Sequence, residues 1–114
     1  MSTRQQLTKY IYNRLKVWDR KGFNPQSINC GNCENFAKEL EKKFPQGFAV
    51  WGEDYLDFFN TDVDCSGHCF FVFEMLYWDS ECPEGTDYPD SLPFYARQLA
   101  AKNWGQIEYI AKIA

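Results

Sequence analysis

Hydrophobic positions in the first part of the chain recur at three- and four-residue steps. Leu7, Tyr10, Ile11, Leu15 and Trp18 form one apolar stripe, which predicts a helix capped at Ser2 or Thr3 and ending near Gly22. The stretch from Phe23 to Asn29 carries Asn, Pro and Ser and reads as a loop leading into the turn Cys30-Gly31-Asn32-Cys33. A second amphipathic helix then buries Phe36, Ala37, Leu40 and Phe44 and is stopped by Pro45 and Gly47. Phe48 to Trp51 reads as a short strand. Residues 52–67 are acidic, aromatic and irregular, the signature of a long functional or lid loop.

Two β-prone runs follow, His68 to Phe73 and Leu76 to Ser80, and the intervening Glu74-Met75 predicts a hairpin. Apolar residues at successive positions of the first run indicate that both of its faces are covered. Cys82 to Ser91 is rich in turn residues. Ser91 is placed to cap a helix over Leu92–Asn103, with Phe94, Leu99 and Ala101 on its apolar side; residues 106–113 alternate in a way that suits a strand or a continuation of that helix.

Composition narrows the class. At 114 residues the chain is expected to form one domain, 1–114, around a core rich in rings, since 18% of its residues are aromatic. A net charge of −4 with thinly spread Lys and Arg leaves no basic footprint for nucleic acid. No apolar run approaches membrane-spanning length, and Met1 to Gln6 open directly into the helical pattern, so the expected location is the cytoplasm. Five cysteines cannot all pair internally, which in a reducing compartment leaves core, metal or catalytic roles.

The chemistry centres on Cys33, at the start of the second helix. Unpaired backbone N–H groups and the positive end of the helix dipole favour a thiolate there. His68, the only histidine, opens the hairpin, and Asp79 lies eleven residues later. With Glu74 and Met75 as a two-residue turn, Phe73 faces Leu76, Phe70 faces Asp79 and His68 faces Glu81, so His68 and Asp79 lie diagonally on one face. A three-residue turn would put them on opposite faces. Trp51, Tyr55, Phe58, Phe59 and Trp78 are candidates to line a cleft beside them.

Gly31-Asn-Cys33-Glu-Asn-Phe-Ala37 at a helix start, Gly67-His68 opening a strand and Tyr77-Trp-Asp79 on the next strand together resemble the papain-like and transglutaminase-like cysteine hydrolases. The stretch from Asp79 to Gly85 is also similar to small phage and prophage proteins carrying the same core. The resemblance, spanning Asn29 to Gly85, implies an α+β fold in which the Cys33 helix packs on a small antiparallel sheet. It implies Cys33 as nucleophile, His68 as general base and acid, and Asp79 as the orienting group in acyl transfer at an amide or ester carbonyl. The oxyanion would be held by the Cys33 N–H and an upstream polar side chain from Gln26, Asn29 or Asn32. Peptidase, amidase, deamidase and acyltransferase activities are all compatible with this pattern, on a peptide, protein or small amide substrate and without a cofactor. No Gln stands at the short distance before the cysteine that the papain pattern expects.

The rival is zinc. Cys30-x-x-Cys33 and Cys65-x-x-His68 make a Cys₃His set with finger-like spacing, with Cys69 and Cys82 as spare ligands. A further alternative is a non-catalytic interaction domain that retains this core.

Overall fold

The computed structural model describes residues 1–59 and 63–101. Helix α1, Thr3–Arg20, starts at a capping box in which the Ser2 hydroxyl accepts the Gln5 N–H at 3.1 Å and the Gln5 side chain accepts the Ser2 N–H at 2.9 Å. Its stripe buries Leu7, Ile11 and Trp18. The segment expected to be loop contains a short helix, α2, Pro25–Asn29. Asn24 caps it in a second box with Ser27, and Pro25 occupies the first turn, where its missing N–H costs nothing. Helix α3, Cys33–Lys43, follows after Gly31 and Asn32.

Strands β1 (Phe48–Trp51), β2 (Cys69–Phe73), β3 (Leu76–Asp79) and β4 (Cys82–Thr86) form an antiparallel sheet in the order β1-β2-β3-β4 among the described residues. The β2–β3 register pairs Phe73 with Leu76, Val72 with Tyr77 and Phe71 with Trp78, as a two-residue turn requires. Glu74 and Met75 both have positive φ, 52° and 62°, the paired left-handed geometry that matches hairpin twist. Strand β4 was not expected, because Pro83 and Gly85 read as turn. As an edge strand it needs no Pro83 N–H, and Gly85, at φ 77°, lets the backbone lie against the Trp78 ring. A 3₁₀ segment, Gly52–Phe58, leads out of β1, a second covers Pro89–Ser91, and a helix, α4, is described over 93–101. The tail at 106–113 and residues 60–62 of the acidic loop lie outside the described residues.

Alternation along the pleat separates two cores. Phe71, Phe73 and Trp78 face α1 and α3, joining Leu7, Ile11, Trp18, Ile28, Phe36 and Leu40. Phe70, Val72 and Tyr77 face the opposite way, towards Tyr55, Phe59, Leu92 and Tyr95. Every residue of β2 is therefore buried, which explains its unbroken apolar run. Glu39 on α3 accepts both Arg14 contacts at 3.0 Å and the Trp18 indole N–H at 3.3 Å, tying α1 to α3 at the rim of the first core. The arrangement is α+β: helices on a small antiparallel sheet. No helix among the described residues is long and apolar enough to cross a membrane.

Candidate active site

Three elements meet at the end of the sheet where β2 begins. Helix α3 lies on β1 and β2, and its first residue, Cys33, packs with Ala37 and Cys69 in a small buried cluster. The Cys33 Sγ accepts the Cys69 backbone N–H at 3.4 Å. His68 immediately precedes β2 and points to the other face, where its ring stacks on Phe94 of α4 at 4.3 Å and 14° and meets Tyr95 edge-on at 5.6 Å. The imidazole is fully buried.

Asp79 closes β3 on the same face as His68. Its Oδ2 lies 2.9 Å from His68 Nε2, and its Oδ1 accepts the Glu81 backbone N–H at 2.9 Å. With the carboxylate accepting the hydrogen bond from Nε2–H, the tautomer is set and Nδ1 is left as the basic nitrogen. That Nδ1 is buried and has no hydrogen-bond partner.

The thiol and the imidazole perturb each other. Burial pushes the Cys33 thiol up, but the His68 ring and the N–H groups of Cys69 and Glu34 outweigh it and hold its pKa below 9.0. Burial pushes His68 down, and the hydrogen bond to Asp79 together with the charges of Asp79 and Cys33 outweighs it, raising the imidazole above 6.5. Both shifts favour the thiolate–imidazolium pair. The neighbouring Cys69 has no such support: burial and the nearby Cys33 push it up to about 12, leaving it an inert thiol.

No protein-family model, curated protein or solved structure matches the chain.

The other residues singled out in the sequence divide. Asn29 is unsuited to an oxyanion, because its Nδ2 donates to Glu81 at 2.8 Å and its Oδ1 accepts the Ser80 hydroxyl at 3.0 Å. Asn32, half-buried at the α3 start, makes no side-chain cap and accepts the Asn35 Nδ2 at 3.5 Å; Gln26 is exposed on α2. Trp51 packs on the Cys33 cluster, next to the thiol. Tyr55 stands edge-on to Phe70 and Tyr77 in the second core, and Phe59 sits against Tyr95 at 4.8 Å. Trp78 is a correction: it is fully buried on the opposite face, with its indole N–H given to the Phe73 carbonyl at 3.1 Å, so it lines no cleft. The side chain of Phe58 lies outside the described residues.

The zinc set is not assembled. No group of three or more His, Cys, Asp or Glu side chains able to hold a metal occurs among the described residues. Cys30 is exposed on its turn, while the Cys65 thiol lies 3.5 Å from the Val63 carbonyl and His68 is engaged with Asp79. A groove of about 840 Å³ between α1 and the Phe44–Gln46 bend includes none of the site residues.

Three contributors were missed in the sequence: Phe94, Glu81 and Arg97. Phe94 and Arg97 are three residues apart and so share a helix face, and Glu81 follows Asp79 by two residues in the β3–β4 turn, signals that only tertiary packing turns into contacts.

Proposed function

We propose that the chain is a cysteine-dependent amide hydrolase or acyltransferase with a papain-like or transglutaminase-like core, acting through Cys33, His68 and Asp79. The supporting observation is the buried His68, oriented by Asp79 at 2.9 Å through one nitrogen and unpartnered at the other, beside a thiol whose pKa it lowers. The Cys33 thiolate attacks the carbonyl carbon of an amide, forming the C–S bond. The oxyanion is received by the Cys33 backbone N–H at the start of α3, with Asn32 or Gln26 as the side-chain donor. The C–N bond then breaks as the imidazolium gives its proton to the leaving amine. Water, deprotonated by His68, or a second amine cleaves the thioester and restores the thiol. Asp79 holds the ring through both proton transfers. The substrate class is a peptide, a protein or a small amide. Cys30, Cys33, Cys69 and Cys82 are free thiols, which suits a reducing compartment, and the cytoplasm is the proposed location.

The deciding experiment is the pH dependence of Cys33 alkylation by iodoacetamide, followed by peptide mass spectrometry. The reading expects selective labelling of Cys33 at neutral pH with a midpoint below 9.0. In His68→Ala the midpoint moves up, since burial of the thiol remains and its main counterweight is gone. Equal, slow labelling of Cys33 and the exposed Cys30 in the wild-type chain would favour a non-catalytic interaction domain instead.

A further inference from the structure

Asp79 is the last residue of β3 and pairs with Cys82 after a register shift that follows Tyr77, a backbone pairing that leaves the direction of its carboxylate to the contacts of its oxygens. One oxygen is committed to His68, and the other accepts the N–H of Glu81. The orientation of Asp79 therefore depends on where the Glu81 backbone is held.

Glu81 is held from three sides. Its Oε1 takes Arg97 Nη1 at 2.7 Å, and its Oε2 takes Arg97 Nη2 at 3.0 Å and Asn29 Nδ2 at 2.8 Å. Asn29 is itself anchored, for the hydroxyl of Ser80 reaches both its Oδ1 and, at 2.7 Å, the Pro25 carbonyl. One carboxylate thus joins α2, the β3–β4 turn and α4. The two-pronged guanidinium contact fixes direction as well as distance. Arg97 also sits one helical turn beyond Phe94, so the same attachment that holds Glu81 sets the ring stacked on the imidazole.

We propose that Glu81, clamped by Arg97 and Asn29, is a positioning residue that aims the Asp79 carboxylate at His68, an inference that rests on His68 and Asp79 being the base unit of the hydrolase proposed above. Glu81 touches no reacting atom. It acts through its backbone N–H on Asp79, and Arg97 acts through Glu81 and through the placement of α4. The ionisable groups facing the imidazole are Cys33 from α3, Asp79 from β3, Glu81 from the turn and Tyr95 from α4, with Phe94 as its neutral lid.

The test uses the imidazole itself. Because the chain has one histidine, its ring signals in a nitrogen-15 nuclear magnetic resonance spectrum of the full protein are unambiguous. In the wild-type chain Nε2–H is expected to exchange slowly with water. In Arg97→Ala and in Glu81→Gln, exchange should speed up about tenfold and the titration midpoint of the ring should fall by roughly one pH unit, with Arg97→Lys in between because it keeps the charge and loses the fork. Arg97 lies partly at the surface, with 40% of its side chain exposed, so its variants are expected to fold. Variants that melt earlier yet keep the wild-type midpoint and exchange rate would overturn the proposal and leave Glu81 a structural brace. Repeating the titration in a Cys33→Ser background separates the two claims. If Cys33 is unreactive towards iodoacetamide, the hydrolase reading falls while the ring signals still decide the clamp.

Discussion

Replacing Asp79 by Asn keeps the shape of the side chain and removes its charge. The carboxylate is 3% exposed and its partner imidazole is fully buried, so solvent screens the interaction little. A hydrogen bond to a charged group contributes about 1.5–3 kcal/mol and a neutral one about 0.5–1.5 kcal/mol, so about 1–1.5 kcal/mol of support for the imidazolium disappears. At 1.36 kcal/mol per unit, the protonation midpoint of His68 drops by roughly one pH unit. Burial already pushes the ring down, and in the variant Cys33 alone is left to push it up. The Cys33 thiolate, which leans on the imidazolium, becomes scarcer at neutral pH. The assay is the second-order rate of iodoacetamide alkylation of Cys33 from about pH 5 to about pH 10, with the thiolate as the reactive form. The acid limb should move up by roughly one unit and the neutral rate should fall by up to about tenfold. Stability carries the same sign. A histidine raised in the folded state contributes below its unfolded pKa of 6.5, and that contribution is lost as pH rises through the folded value, so Asp79→Asn should destabilise more near about pH 6 than near about pH 9. An alkylation profile that superimposes on the wild type would refute the reasoning, because the carboxylate would then do nothing for the ring.

Other expectations concern the scaffold. Leu40 is fully buried in the first core, and Leu40→Ala should cost about 2–5 kcal/mol in urea unfolding. Gly85→Ala adds a Cβ 2.9 Å from the Trp78 ring at a φ of 77°; a loss of about 1–3 kcal/mol, with a changed tryptophan emission, is expected. Met75 is 90% exposed at φ 62°, and Met75→Gly should raise stability by about 0.5–1 kcal/mol in the same assay, because only the left-handed backbone strain is removed.

How far the sequence reveals this architecture depends on the range of the signal. The stripe of α1, the α3 start at Cys33 and the hairpin register are all local, and each is readable from spacing and turn length. Helix α2 was hidden because Asn24 and Pro25 serve equally in a loop and in a helix N-terminus; the reciprocal bond between Asn24 and Ser27 decides it. Strand β4 was hidden because Pro83 is tolerated only at a sheet edge, and edge position is a property of the whole sheet. Trp78 is instructive in the other direction. The alternation that puts Asp79 beside His68 puts its neighbour on the opposite face, so the cleft role assigned to Trp78 conflicted with the register argument itself. Asn29 looked available as an amide donor; its loss to Glu81 and Ser80, 52 and 51 residues away, is long-range and leaves no local trace.

The two cores on opposite faces of the sheet bear on when the thiol becomes reactive. Cys33 belongs to the helical side, and His68, with Phe94 and Tyr95 around it, belongs to the other. The acidified thiol exists only where both layers have docked on the same strand. A chain newly made or half unfolded carries an ordinary cysteine, and only the completed fold lowers the pKa of Cys33, so on the hydrolase reading proposed above its alkylation at neutral pH is in effect a counter of finished molecules.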